Sequence, residues 1–576
     1  MTFLDPITLS VLQNSLIQIV DEMDLVQEKT AFSPIISEGL DRANGIFQPD
    51  DGKVIAQGRR GLPLFIGVMQ ATVEAVIARG LQLASGDVII VNDPYQGGTH
   101  LMDVRCVRPF FRNGRLWCFL ANVAHWADIG GAVPGGFATS ATEIQAEGLR
   151  VPPIHILKGE KWEQETLDLI LANCRIPEER VGDLRSQVGA LRTGERRLAE
   201  LLDRYGDETV TLAIATLRER GEQQMRQCIS AIPDGIYKFE TVLDSDGVVD
   251  QPLSIRLTLT VQESNLEFDL SRSDPPCKGP LNTPWATTQS AIYIAVKHMF
   301  PETPVNAGCF TPIRIKRPVG TFLDAVYPRP CAGAASEASQ RVCEAALGAL
   351  GLAMPDRAYA GAFGTVGNLS LSGYDPQYER PYVMYLFSGG GYGGYADGDG
   401  HSNAVNIIAY SKSQPIEILE RTYPVLFEEV ALRVGSGGAG QFRGGLGSHF
   451  RLRLLRGAAA CSFLMDKGRV PPYGVQGGLP GSTTRITLSQ QGVPAHLPHL
   501  TKGSGFALQP GDWLEVDTPG GGGFKDPKER DPERVAKDVL LGYVTSDQAS
   551  QEYGYEESVG VTGWPEHGVA PVSPQV

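Results

Sequence analysis

The chain has 576 residues, with 51 Lys plus Arg against 66 Asp plus Glu and a formal net charge of −15. That length calls for several cores, and 42% hydrophobic with 20% charged residues rules out wholesale disorder. The acidic balance excludes a phosphate-neutralising surplus and so disfavours nucleic acid or an anionic membrane as partner.

Asp5-Pro6 reads as an N-cap and first helical residue, and Leu9, Leu12, Leu16, Ile19, Val20 and Met23 recur on one helical face. Asp5, Asp21, Glu22 and Asp24 stand where a signal peptide would carry basic and apolar residues. No run of 18 apolar residues is present, and nine scattered cysteines form no CxxC pair. Reduced thiols, a cytoplasmic location and no membrane span are therefore expected. Next, 54–65 is turn-rich, 69–83 is helical and 87–91 is a short buried strand. Two β-rich runs, 105–111 and 116–123, flank Asn113-Gly114, the strongest short-range hairpin signal. Residues 163–230 carry Arg, Glu and Leu at helical spacing, with a stop at Tyr205-Gly206. After Pro233 come alternating strands at 237–243, 253–261 and 266–270. Glycine-dense loops follow at 389–400 and 435–447, with β-like runs at 425–434 and 450–455. Beyond Gly520 lie a Gly run, a short charged helix at 533–541 and a polar tail after Gly560 expected to be mobile.

These signals predict a mixed α/β (α+β), multi-domain protein with several mixed β-sheets. The expected regions are 1–160 (α/β, carrying the candidate site), 161–232 (helical), 233–435 (central α/β), 436–525 (β-rich) and 526–576 (short helix and tail).

Two of the nine histidines stand in an unusual setting. His100 closes Asn92-Asp-Pro-Tyr-Gln-Gly-Gly-Thr-His100, a polar turn after a buried strand, and Asp103 follows three residues later. His125 closes the second hairpin strand. A two-residue turn sets Arg112 against Arg115, which places Met102 opposite His125 and Asp103 opposite Ala124. Cross-strand neighbours and diagonals lie ~5–8 Å apart, so His100, Asp103 and His125 can share one ion. Strict alternation turns Asp103 to the other face, so the backbone there must be irregular, as Gly97 and Gly98 allow. Two imidazoles and a carboxylate suit a borderline divalent ion, Zn²⁺ first, then Mn²⁺ or Fe²⁺, with positions left for water or substrate. The competing reading is a hydrogen-bonded pair of half-buried histidines that stabilises the hairpin; spacing alone leaves both open.

The glycine loops carry no GxxxxGK[ST] and no strand-to-helix setting, so they read as structural turns or partner-facing loops. Asp244-Ser-Asp-Gly247 reads as a hairpin turn without the twelfth-position calcium ligand. Cys331 reads as a small packed thiol. Glu147, Arg150, Arg175, Asp183, Arg185 and Gln187 read as a salt-bridged helix surface. No catalytic acid, base or nucleophile is assigned.

Ser37-Glu-Gly-Leu-Asp41, the segment from Asn92 to Asp103, Ala124-His-Trp-Ala-Asp-Ile-Gly-Gly131 and Glu147-Gly-Leu-Arg-Val-Pro-Pro153 resemble the hydantoinase B/oxoprolinase family. Leu281-Asn-Thr-Pro284, Pro304-Val-Asn-Ala-Gly308 and the segments 417–424, 435–447 and 519–527 continue the resemblance in order. The resemblance implies a metal site at His100, Asp103 and His125, with Asp41 as fourth ligand. Two departures stand out: the family's usual aromatic and small polar residues after the aspartate are replaced by Asp41-Arg-Ala-Asn-Gly-Ile-Phe47, and a common His-His is His125-Trp126 here. The family implies the B (β) subunit of an ATP-dependent hydrolase that opens a lactam, hydantoin or oxoproline-type ring through a phosphorylated intermediate. ATP and Mg²⁺ are then expected on a partner A (α) subunit of the hydantoinase A type, often as α₂β₂, and no nucleotide site is expected on this chain. The alternatives are the α subunit of an ATP-dependent ketone carboxylase of the acetone or acetophenone type, and a non-catalytic scaffold for the partner.

Overall fold

Asp5 accepts hydrogen bonds from the Ile7 and Thr8 backbone N–H groups and, with Pro6 at the first position, starts the helix Pro6–Thr30. Leu9, Leu12, Leu16, Ile19, Val20 and Met23 are buried along it, as their spacing predicts, against a second long helix, Pro177–Tyr205. That helix ends where Gly206 takes φ +82, and Asp207–Ile229 begins directly after it. The computed structural model describes residues 4–495 and 497–556. The expected tail after Gly560 lies outside the described residues.

The structure is mixed α/β with four sheets among the described residues. The first sheet positions the candidate site. It contains β1 (Arg42–Phe47), β2 (Val54–Gln57), β3 (Val88–Val91), β4 (Asp103–Arg112), β5 (Arg115–His125), β6 (Ile154–Lys158) and β7 (Lys161–Trp162), in the order β2-β1-β5-β4-β3-β6-β7. One face packs on the central core through Ile46, Val104, Cys106, Leu120 and Ala124. The other packs on the helix Phe65–Ala78 through Ala43, Phe47, Val107, Phe119 and Val123. Burial on both faces replaces alternation by nearly continuous burial along β1, β4 and β5. It forces the sheet's polar side chains to pair internally: Arg42 and Asn44 both reach Asp24.

Two sequence expectations change here. The turn-rich 54–65 stretch contains β2, which pairs with β1. The helix expected at 69–83 runs instead over Phe65–Ala78, and Gly80 at φ +67 ends the helical path.

A four-stranded sheet follows, built from Gly235–Leu243, Leu253–Gln262, Asn265–Asp269 and Ile313–Lys316. Asn368–Asp375, Arg380–Leu386, Ala459–Leu464 and Lys502–Leu508 form the third sheet. Its inner face shares a core with the fourth sheet through Leu371, Met384, Phe463, Leu452, Leu514 and Val516.

Beside these two sheets the glycine segments stack backbone against backbone. Gly521 N–H donates to Gly445 O and Gly438 N–H to Gly521 O; Gly394 N–H donates to Gly522 O, Gly522 N–H to Gly361 O and Gly523 N–H to Leu479 O. A Cβ on Gly521 would overlap the Tyr392 carbonyl, and one on Gly522 the Tyr473 carbonyl. The N–H groups are spent on carbonyls, so these loops act as structural packing, the reading the sequence favours. No helix among the described residues is long and apolar enough to cross a membrane.

Candidate metal site

The Asn113-Gly114 hairpin forms, with Arg112 paired to Arg115 and Phe111 to Leu116. Beyond that point the predicted register is wrong by one. Phe110 pairs with Cys118, which leaves Trp117 as an extra residue in β5, and every later pair is offset: Val104 with Ala124, Asp103 with His125. A β-bulge of one residue exchanges the two faces of everything beyond it. The predicted pairs Met102–His125 and Asp103–Ala124 are replaced, and no irregular turn is needed to bring Asp103 to the face of His125.

β1 adds an acid from the other side. Arg42 pairs with Ala124, and one step further the His125 N–H donates to the Asp41 carbonyl at 3.1 Å. His125 thus has one aspartate on the neighbouring strand β4 and another immediately before β1. His100 comes from the turn before β4, which is held by Asn92 Nδ2 donating to the Leu101 and Leu149 carbonyls at 2.8 and 2.9 Å.

His125 Nδ1 lies 3.4 Å from Asp103 Oδ1 and 3.8 Å from Asp41 Oδ2, and His100 Nε2 lies 3.5 Å from Asp103 Oδ2. These spacings are long for hydrogen bonds. They match the ~3.4 Å donor–donor edge of a tetrahedron with metal bonds of about 2.0–2.1 Å. One ligand atom each of His100, Asp103 and His125 lies within 4.8 Å of the others, and all three residues are buried. His100 Nδ1 and His125 Nε2 have no hydrogen-bond partner. The Thr99 hydroxyl donates to Asp103 Oδ2. The donor set therefore fits a borderline divalent cation better than the hydrogen-bonded pair of the competing reading.

Electrostatics agree. Burial drives the His100 imidazole down to about 4, against the pull of Asp103, so it is held neutral with one ring nitrogen's lone pair free. Burial pushes Asp41 up to about 7, opposed by His125 and reinforced by Asp103. Asp103 resists its own burial because His100, His125 and Thr99 all favour its anion, which keeps it below the ordinary carboxylate range.

The site's walls come from far along the chain. The Tyr385 ring stacks on His125 with centroids 4.7 Å apart, and its hydroxyl donates to Asn368 Oδ1 at 2.6 Å. Asn368 Nδ2 in turn donates to Glu337 Oε1 at 3.1 Å. Asp41, His100, Asp103, His125, Ser336 and Tyr385 line one pocket of about 40 Å³. Ser336, Asn368 and Tyr385 were not foreseen from the sequence, because no local spacing connects them to the hairpin. A second group, His449, Glu515 and Asp517, is half-buried, and there His449 Nδ1 is hydrogen-bonded to Asp517 at 2.8 Å.

The helix-surface reading of six polar residues is corrected for five of them. Glu147, Asp183 and Gln187 are fully buried. Glu147 accepts from the Cys331 and Ala332 N–H groups, and Asp183 from those of Phe32 and Ser33. Gln187 donates to the Val104 carbonyl and accepts from Trp126 Nε1. They are polar clamps between elements, which helical spacing does not distinguish from a solvated face. Arg175, which pairs with Asp128 at 2.8 Å, and Arg150, which lies over the Tyr327 ring, both stand outside helices, and only Arg185 is an exposed residue on one, Pro177–Tyr205. Cys331 is a buried free thiol that burial pushes far above its ordinary range, as a packing role requires.

Fold and site together define a multi-sheet α/β protein with a buried two-histidine, carboxylate cluster on one β-hairpin. The chain belongs to the hydantoinase B/oxoprolinase family, whose model matches residues 5–527. It is 32% identical over 569 residues to the caprolactamase subunit beta of Pseudomonas jessenii, covering 96% of each chain. The crystal structure of the ATP-dependent caprolactamase from Pseudomonas jessenii superposes with a TM-score of 0.90 at 30% identity, over 97% of this chain and 98% of that one. A nucleotide-free acetone carboxylase structure gives a TM-score of 0.84 at 19% identity, over 96% of this chain and 79% of that one, which shows a shared fold.

Proposed function

We propose that this chain is the B (β) subunit of an ATP-dependent hydrolase that opens a cyclic amide, and that Asp41, His100, Asp103 and His125 hold a divalent cation, Zn²⁺ first among the candidates. The observation that carries the reading is the buried donor set whose spacings fit a metal and not hydrogen bonds. The relation to a caprolactamase subunit beta supplies the substrate class. The partner is an ATP-binding subunit of the hydantoinase A type, in an α₂β₂ assembly in the cytoplasm. Its ATP would phosphorylate the ring amide oxygen, which converts a resonance-stabilised amide into one with a leaving group.

Bound there, the ion supplies Lewis-acid polarisation of a carbonyl or a lowered pKa for the attacking water. This chain's residues do the rest. The Thr99 hydroxyl fixes one oxygen of Asp103, the neutral His100 keeps one nitrogen lone pair for coordination, and Tyr385 and Phe137 cover the His125 ring and exclude water from it.

The test is elemental analysis and turnover of the co-expressed complex beside His100→Ala and His125→Ala. About one transition-metal ion per chain, lost together with ATP-dependent lactam hydrolysis in complexes that still assemble, supports the reading. A metal-free wild type that remains active sinks the metal site. Turnover that demands bicarbonate and a ketone would move the chain to the carboxylases.

A further inference from the structure

We propose that Ser336 contacts the reacting amide, and that the pocket takes an uncharged ring; the inference rests on the cyclic-amide reading above. Ser336 lies in Ala334–Ala338, a turn of π-helix that leads into the helix Ser339–Ala353. Such turns are rare and gather at functional sites. Ser336 lines the same pocket as Asp41, His100, Asp103 and His125. It is 5% exposed, and its hydroxyl has no hydrogen-bond partner.

The contrast with Ser339 is direct. Three residues later on the same turn, the Ser339 hydroxyl satisfies itself by donating to the Ala335 carbonyl, the usual refuge of a helical serine. In the π turn, both the Glu337 and Ala338 N–H groups converge on the Gly333 carbonyl, and the Ser336 hydroxyl is left unspent. A buried hydroxyl without a partner is a standing cost to the fold.

The backbone on both sides of Ser336 is held firmly. Before it, Glu147 accepts from Cys331 N–H at 2.9 Å and from Ala332 N–H at 2.8 Å. After it, Glu337 accepts from Val366 N–H at 3.3 Å and from Asn368 Nδ2 at 3.1 Å, and Asn368 also holds the tyrosine stacked on His125. One network therefore orients the Ser336 backbone and the His125 ring together. This is the pre-organisation that a hydroxyl needs to meet a substrate in a fixed pose.

The ligand class follows from the walls. Among the described residues no Lys or Arg lines the pocket, and Leu62, Leu64, Phe387 and Ile408 supply apolar surface. A ring bearing a carboxylate meets no basic side chain there, and Asp41 and Asp103 already supply anionic oxygens to the candidate ion, whereas the methylenes of an uncharged ring do find apolar contacts. A serine hydroxyl offers one donor and two lone pairs, which match the adjacent C=O and N–H of a ring amide.

The experiment compares wild type, Ser336→Ala and Ser336→Cys in the assembled complex with its ATP-binding partner, with ε-caprolactam and 5-oxoproline as substrates. We expect Ser336→Ala to keep its metal content and assembly, to melt at or above the wild-type temperature, and to lose about 10- to 100-fold in kcat/KM for caprolactam. Ser336→Cys, close in volume and a weaker donor, should fall between. A lower melting temperature with kcat/KM within about twofold would make the hydroxyl structural, and kcat/KM unchanged at any melting temperature also overturns the contact. A preference for 5-oxoproline overturns the uncharged-ring class. A wild-type complex that hydrolyses neither compound, nor N-methylhydantoin as a third, overturns the functional reading itself, before any variant is compared.

Discussion

Asp103 faces His125 across two adjacent strands because Trp117 is one residue more than the hairpin needs. The carboxylate and the imidazole come to 3.4 Å through a defect about eight residues away from either. Deleting Trp117 should restore the simple register, turn Asp103 to the face opposite His125 and abolish metal binding while the hairpin persists. Trp117→Ala keeps the extra residue and should keep the metal, with only a loss of packing on Phe110. Elemental analysis beside circular dichroism decides it, and a deletion variant with full metal content would show that the bulge does not set the site.

Glu147 holds two backbone N–H groups of a buried turn. Removing it as Glu147→Ala strands both, at about 1–3 kcal/mol each. A loss of about 2–5 kcal/mol in chemical denaturation is the expected outcome. A loss under about 1 kcal/mol would mean that the turn finds other partners.

Asp24 gives the pH dependence. It is buried beside Arg42 and Asn44, with Glu28 on the far side of Arg42 and Asp21 nearby. Burial raises its carboxyl from 3.8 to about 6, against the pull of Arg42. The native state thus holds this proton more tightly than the unfolded chain does. The associated stability is complete below about pH 4 and is lost as pH rises through 6, about 3 kcal/mol in all. The stability of wild type relative to Asp24→Asn should fall by about 3 kcal/mol between about pH 3 and 7, most of it between pH 4 and 6. Parallel stability curves for the two proteins would refute the shift.

Two glycine substitutions should act in opposite directions. Gly521→Ala drives a methyl into the Tyr392 carbonyl and should cost about 3 kcal/mol or more. Gly189 lies inside the helix Pro177–Tyr205, where a Cβ meets only Val26 at 3.8 Å. Gly189→Ala should therefore stabilise by about 0.5–1 kcal/mol. Melting temperatures of the two variants check both signs.

Features carried by neighbouring residues were legible in the sequence. Asp5-Pro6 marks a helix start, Gly206 a helix stop, Asn113-Gly114 a turn, and His100, Asp103 and His125 a donor set that the hairpin does assemble. The position of the bulge was not legible, because nothing in the composition of β5 distinguishes Trp117 from a paired residue. Tyr385 and Ser336 were invisible for another reason: their roles exist only after segments more than 200 residues apart in sequence close around His125. Glu147, Asp183 and Gln187 were misread because a buried clamp and a solvated face carry the same polar letters.

The stacked glycines also impose an order on synthesis. The segment 519–523 donates to and accepts from backbone near residues 361, 394, 438, 445 and 479. Until it leaves the ribosome the carbonyls and N–H groups of those partners can bond only to water, so the glycine segments cannot close on one another. A nascent chain arrested before residue 519 should therefore leave the packing around residues 361–479 open to protease and in need of a chaperone's cover. One arrested far enough beyond residue 523 for that segment to clear the exit tunnel should close at once.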